Sequence, residues 1–92
     1  MSLQSKCLKH LKQCPNTWAI KVIVANERGC PDVLCCVRPG KFLALEIKEG
    51  KGVVSPIQTE QMFRIEQKGG GEAWIVRDYV KFKDRFKEFL RK

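Results

Sequence analysis

The sequence predicts a single α/β domain with elements in the order α-β-β-β-α-β-α. Three observations indicate this order: helical apolar patterns at both ends, short runs rich in β-branched and aromatic residues between them, and Gly or Pro between neighbouring elements. The 92 residues suffice for one small core. We therefore expect one domain over residues 1–92, without a linker, repeat or second domain.

Apolar residues at helical spacing predict a first helix over Ser2–Gln13, which Pro15-Asn16 ends. These apolar residues are Leu3, Cys7, Leu8, Leu11 and Cys14. The β-branched and aromatic run Trp18–Ala25 predicts the first strand, and a loop follows over Asn26–Cys30.

A hairpin is expected next, with strands over Asp32–Val37 and Lys41–Lys48 around Pro39-Gly40. A two-residue Pro39-Gly40 loop would set Asp32 opposite Ile47, so the Asp32 side chain would lie on the face away from Glu46. A site that uses both carboxylates therefore requires an odd-length loop, a β-bulge, or an Asp32 that lies just outside the ladder.

A second helix is expected to begin after the loop Glu49–Val54. Ser55 is its N-cap, Pro56 its first helical residue, and Gln58 completes a capping box. The helix should continue to about Lys68, because three glycines follow it.

A fourth strand over Ala73–Val76 and an amphipathic C-terminal helix complete the chain. The helix is marked by Tyr79, Phe82, Phe86, Phe89 and Leu90. In the second helix, Gln58, Met62 and Ile65 share the inward face, whereas Phe63 lies off that face. We expect Phe63 to be exposed and to offer a partner surface.

Composition limits the function classes. Apolar residues make up 43% of the chain, which excludes a disordered tail. No apolar run reaches the ~18 residues of a membrane span, and no secretory signal core is present, so a soluble intracellular protein is expected. The net charge of +8 favours a polyanionic partner, although small basic proteins also exist that bind none.

The five cysteines favour buried free thiols in a reducing compartment, because no C-x-x-C pair occurs and their number is odd. Cys30, Cys35, Cys36 and His10 have the wrong spacing for a zinc ribbon or finger. His10 is expected at the surface beside lysines, without a functional role.

The strand Phe42–Lys48 carries charge within an apolar pattern. Its alternation places Glu46 and Lys48 on one face, about 7 Å apart. With Asp32 brought alongside, the two carboxylates can hold a divalent metal ion and position a water. This arrangement suits phosphodiester hydrolysis.

Four segments together resemble the VRR-NUC domain, a branch of the PD-(D/E)XK nucleases. They are Gly29-Cys30-Pro31-Asp32, the strand Phe42–Lys48, Ser55-Pro56-Ile57-Gln58, and Gly70 before a strand. The resemblance covers nearly the whole chain, and its small size is similar to the stand-alone phage form. It implies a restriction-endonuclease-like core in which helices flank a mixed sheet.

The resemblance also implies roles for individual residues. Asp32 and Glu46 would ligate Mg²⁺ or Mn²⁺ with the backbone carbonyl of Ile47, while Lys48 would orient or deprotonate the attacking water. Gln58 corresponds to the family's glutamine near the site. One departure is that related domains place a glutamate on the first helix, whereas this chain has no acidic residue before position 27.

The function implied is a metal-dependent DNA endonuclease, selective for branched or four-way (Holliday-like) junctions, that acts as a homodimer. Two alternatives stay open at the level of sequence: a non-catalytic nucleic-acid-binding module and a catalytically inactive homologue. Each residue that matches the family's site also has a simpler interpretation. Asp32 could belong to a turn, Glu46 and Lys48 could form a solvated ion pair, and Gln58 could serve only as a helix cap. Lys51, in a glycine-flanked loop, suits phosphate contact and solvent equally.

Overall fold

The computed structural model describes residues 1–92 and contains three helices and one four-stranded sheet. The helices are α1 (Leu3–Gln13), α2 (Pro56–Gln67) and α3 (Tyr79–Arg91). The strands are β1 (Thr17–Lys21), β2 (Val33–Val37), β3 (Lys41–Ile47) and β4 (Glu72–Val76). The predicted order α-β-β-β-α-β-α is confirmed. None of the helices combines the length and the apolar character needed to span a membrane.

The sheet is mixed, as predicted. Its strands lie in the order β1-β2-β3-β4. The β1–β2 and β2–β3 pairs are antiparallel, whereas β3 and β4 are parallel and are joined through α2. Parallel neighbours need such a crossover, because the chain must return to the same end of the sheet before it starts the next strand.

The β2–β3 hairpin has an odd-length loop. Val37 pairs with Lys41, which leaves the three residues Arg38–Gly40 in the loop. Asp32 directly precedes β2, and the register continued by one step sets it opposite Glu46. Opposed residues point to the same face of an antiparallel pair. The odd-length loop that a site with both carboxylates requires is therefore present.

The core lies between one face of the sheet and the two terminal helices. α1 packs against β1 and α3. The largest fully buried side chains include Trp74, Phe86, Leu11, Leu43 and Leu45. Glu46 alternates with Leu45 and therefore points to the other face, which α2 covers. The two faces thus have separate tasks: one holds the apolar core, and the other holds the candidate site.

The first strand is shorter than predicted, because it ends at Lys21 and not at Ala25. Ile23 and Val24 are 83% and 86% exposed. Their β-branched side chains favour strands only where a partner strand and a buried face are present. Here β1 is an edge strand, and the last contact with its neighbour is the Val22 amide, which donates to the Asp32 carbonyl at 2.8 Å.

His10 is not a free surface residue, in contrast to the prediction. Its ring packs edge-on against Tyr79, Phe82 and Phe86 of α3, with centroid separations of 5.9–6.2 Å. Partial burial and the nearby charge of Lys83 lower the pKa of His10. The residue belongs to the α1–α3 contact, which explains its position on the edge of the apolar pattern.

The cysteines are free, as expected. Cys7 and Cys35 are fully buried, whereas the other three are only half-buried. No cluster of His, Cys, Asp and Glu forms a zinc site.

Candidate active site

Asp32 is held in place by the loop that precedes it. Gly29 has a φ of +79°, and a Cβ added there would lie 2.7 Å from the carbonyl oxygen of Ile57. Glycine is therefore required twice over, by its backbone conformation and by its close approach to the start of α2. Pro31, which follows, is buried. The G-x-P-D segment thus fixes Asp32 at the junction of the loop, β3 and α2.

The Asp32 carboxylate closes the end of the hairpin ladder. Its Oδ2 accepts a hydrogen bond from the Ile47 amide at 2.8 Å. The side chain therefore takes the place that a main-chain carbonyl has in the regular ladder. Oδ2 is thus held at the end of β3 beside Glu46. The role predicted for the Ile47 carbonyl stays a prediction.

Glu46 is a buried carboxylate, with a side chain only 2% exposed. Its Oε2 accepts from Gln58 Nε2 at 3.0 Å and lies 3.6 Å from Lys48 Nζ. Its Oε1 is buried without any hydrogen-bond partner. The interpretation of Glu46 and Lys48 as a solvated surface ion pair is therefore wrong.

Burial raises the pKa of Glu46 from its ordinary value of 4.5 to about 7. The negative charge of Asp32 acts in the same direction, because two neighbouring carboxylates resist joint ionisation. The Lys48 ammonium opposes the shift in pKa but does not cancel it. The two carboxyl groups therefore resist being negatively charged at the same time.

Gln58 serves the helix and the site at the same time. Its Oε1 accepts from the Ser55 amide at 2.9 Å, while Ser55 Oγ accepts from the Gln58 amide at 3.3 Å, which together form the predicted capping box. The Nε2 end of the same side chain donates to Glu46. The two ends of the amide thus divide the capping task and the site task between them.

Lys48 lies between β3 and a loop that is held by hydrogen bonds to the N-terminus of α1 and to Arg77. Its amide donates to the Val76 carbonyl at 2.9 Å, and the Glu49 carboxylate accepts from the Leu3 amide at 2.8 Å. Arg77 donates to the Gly52 carbonyl at 2.8 Å. These ties join segments far apart in the sequence, so no spacing pattern could have predicted Glu49 or Arg77. Lys51 is exposed in this loop.

The donor set fits a hard divalent cation. Mg²⁺ and Mn²⁺ prefer carboxylate and carbonyl oxygens, and the buried, unpartnered Oε1 of Glu46 is an oxygen that such an ion would satisfy. No third His, Cys, Asp or Glu joins the two carboxylates. The first turn of α1 contains no acidic residue, and its Ser2 is occupied as the N-cap. The departure noted in the sequence therefore persists in the structure.

The structure brings together all four side chains singled out from the sequence. Glu46 is the common partner: Gln58 and Lys48 contact it, and Asp32 raises its pKa. The arrangement places two acids, a cation and an amide around one point at the end of β3.

Among solved structures, the chain is similar to a protein described as a VRR_NUC domain. The two share 17% sequence identity and superpose with a TM-score of 0.75 over 92% of this chain and 90% of that chain. No family model and no curated protein match the sequence. The predicted VRR-NUC fold is therefore confirmed.

Proposed function

We propose that this chain, which has the fold of a VRR_NUC domain, is a metal-dependent nuclease that hydrolyses phosphodiester bonds in DNA. The observation that supports the proposal most strongly is the Glu46 carboxylate, buried beside a second acid with one oxygen unpartnered. A buried carboxylate beside a second acid is costly in a structure that needs only stability. It is useful where a cation and a phosphate must meet.

Asp32 and Glu46 are proposed to hold Mg²⁺ or Mn²⁺, with the Ile47 carbonyl as a further ligand. When bound, the ion would stabilise charge on a phosphate oxygen and make a water more acidic. Asp32 is already oriented by the Ile47 amide, and Glu46 by Gln58. The protein thus fixes both carboxylates before the ion and the DNA arrive, which lowers the cost of assembling the site.

Lys48 is proposed to orient the attacking water as an ammonium group, or to deprotonate it after first giving up its own proton. Its ammonium lies 3.6 Å from Glu46 Oε2 and is mostly shielded from solvent, with a side chain 19% exposed. A cation at this position also stabilises the negative charge that develops on the phosphate. Gln58 is proposed to act through Glu46, whose Oε2 it holds.

The proposed substrate is branched DNA, such as a four-way junction, and the proposed active species is a homodimer. The net charge of +8 supports a DNA partner. A dimer with two-fold symmetry presents two equivalent sites to a junction that offers two equivalent phosphates.

The test is cleavage of labelled four-way junction, flap, single-stranded and linear duplex DNA, with Mg²⁺, Mn²⁺ or EDTA. We expect cleavage with either ion, none with EDTA, and a preference for the branched substrates. The matched variants are Glu46→Gln, which should be inactive, and Glu66→Gln on the exposed surface of α2, which should be as active as wild type. DNA binding without cleavage under every condition would leave the inactive homologue or the binding module as the function.

A further inference from the structure

A groove of about 440 Å³ lies between the free edge of β4 and the first half of α3. Three of its lining residues are cations: Arg77, Lys81 and Arg85. Its floor includes Trp74, and the Arg85 guanidinium lies 4.4 Å from the centre of the Trp74 ring. This contact holds Arg85 against the wall of the groove.

None of the three cations of the groove forms an ion pair, although Arg77 donates to the Gly52 carbonyl and the charge of Arg85 acts on Glu72. The ion pairs of the protein join Lys48, Arg64, Arg91 and Lys92 to carboxylates, and none involves Arg77, Lys81 or Arg85. The one acid that lines the groove, Asp78, is the N-cap of α3 and accepts from the Lys81 amide at 2.9 Å. Three cations thus face one carboxylate that already satisfies a helix terminus.

The groove lies at the β4 edge on the α3 side of the sheet, and one end of it reaches the strand end that carries Lys48. Val76, at the end of β4, accepts from the Lys48 amide at 2.9 Å, and Arg77 is the next residue. Lys81 lies in the first turn of α3, and Arg85 lies about one turn further, about 6 Å along the helix. The cations therefore form a row that leads away from the strand end that carries Lys48.

We propose that this row is a binding track for the phosphate backbone of the DNA strand that leaves the active site. The proposal rests on the proposed nuclease function, because it assigns the substrate's backbone to this groove. Arginine and lysine beside an apolar wall suit phosphate oxygens and the sugar, and such contacts fix a strand without reading its sequence. The same helix carries Lys83 and Lys87 on its other flank; Lys83 lies over Tyr79 and affects His10, so that flank faces α1.

The test compares two double variants with the same loss of charge. Lys81→Gln with Arg85→Gln removes two cations of the track, and Lys83→Gln with Lys87→Gln removes two from the opposite flank. Both are made in the Glu46→Gln background, so that junction DNA is bound but not cut. Affinity is measured by fluorescence anisotropy from about 50 to 200 mM salt.

We expect the track variant to bind junction and duplex DNA several-fold more weakly than its background. The slope of log K against log salt should fall by about 1 for each cation removed. The control variant should keep the slope of its background, because charges beyond about 10 Å are screened. The single variant Arg85→Lys, which keeps the charge, should bind nearly as tightly as its background. Equal losses in the two double variants would overturn the proposal.

Lys81→Gln alone is the second variant, because Lys81 is exposed and its replacement disturbs no packing. It should melt at the wild-type temperature and lower the slope by about 1. An unchanged slope in this variant would overturn the track. A failure of the nuclease proposal gives a different result. The wild-type protein would then not cleave DNA with Mg²⁺ or Mn²⁺, while DNA binding would still depend on the track.

Discussion

Glu46 carries the main energetic conflict in the molecule. A buried polar atom without a hydrogen bond costs about 1–3 kcal/mol, and more when the group is charged. Gln58 and Lys48 satisfy one oxygen of the carboxylate but leave the other unpartnered. A proton or a cation relieves this cost, so the metal-free protein should respond to both.

The first prediction is that the metal-free protein loses stability as pH rises. The folded state raises the pKa of Glu46 to about 7 from 4.5, so it binds the proton more tightly than the unfolded chain. The stabilisation from this group is full below pH 4.5, falls as pH rises through 7, and amounts to up to about 3 kcal/mol. Thermal melting with EDTA between these limits measures it.

Glu46→Gln is the control for this experiment, because a neutral amide removes the titration. The difference in melting temperature between wild type and variant should shift in favour of the variant as pH rises. A difference that stays constant across the window would show that Glu46 does not carry the effect. Excess Mg²⁺ should reduce the loss in the wild type only.

The second prediction concerns Lys48. Lys48→Met should reduce cleavage by at least about a hundredfold, because the group that positions the water is lost. Binding of DNA should change only a few-fold, since phosphate contacts elsewhere supply most of the affinity. Single-turnover rates and binding curves on the same junction separate the two effects. Full turnover by this variant would exclude the proposed role.

At the scale of elements, the loop before β2 and the start of α2 form one unit. Gly29 touches the Ile57 carbonyl, and Gln61 of α2 donates to Glu27 and to the Arg28 carbonyl at 3.0 and 3.1 Å. This packing sets the distance between Asp32 on one side and Gln58 on the other. The geometry of the site therefore depends on a contact that lies outside it.

The third prediction tests this contact with two glycines. Gly29 and Gly70 both have a positive φ, but a Cβ at Gly70 meets no atom within 4 Å. Gly70→Ala should cost about 1–2 kcal/mol of unfolding free energy, from backbone conformation alone. Gly29→Ala should cost clearly more and should also weaken activity, because α2 must move. Urea unfolding measures the difference; equal costs would mean that the Gly29 contact does not matter.

Elements that depend on local chemistry were predictable from the sequence, and those that depend on distant partners were not. The capping box at Ser55 and the helical pattern of α3 are local, so both were located within a residue or two. Ile23 and Val24 have strand propensity but no partner, and His10 gained its burial from α3. The residues of the site could be named from the sequence. That the Gln58 amide caps α2 with its oxygen and contacts Glu46 with its nitrogen could be seen only in the folded structure.

At the scale of the whole molecule, exposed apolar residues accompany a strongly basic surface. Phe63 is 58% exposed on α2, and its neighbours Val54 and Pro56 line a shallow depression beside it. A contact through this surface would lie on the same side of the sheet as Glu46. A specific dimer there should bury more than about 1,000 Å² in total.

The fourth prediction is that the protein is a dimer in solution and that Phe63 contributes to the contact. Light scattering at micromolar concentration should give twice the monomer mass of 10.6 kDa. Phe63→Glu should yield monomer, whereas Val80→Glu on α3, a residue 60% exposed, should stay dimeric. A wild-type monomer would contradict the dimer, and a dimer that survives Phe63→Glu would remove this residue from the interface.

The fifth prediction tests the central claim, that Asp32 and Glu46 form a divalent-cation site, and its most direct measurement is binding of Mn²⁺ by titration calorimetry without DNA. Wild type and Glu66→Gln should bind Mn²⁺ with equal affinity, and Lys48→Met should retain binding. Asp32→Asn and Glu46→Gln should each lose it, because a neutral amide is a poor ligand for a hard cation. Unchanged Mn²⁺ affinity in both carboxylate variants would contradict the account.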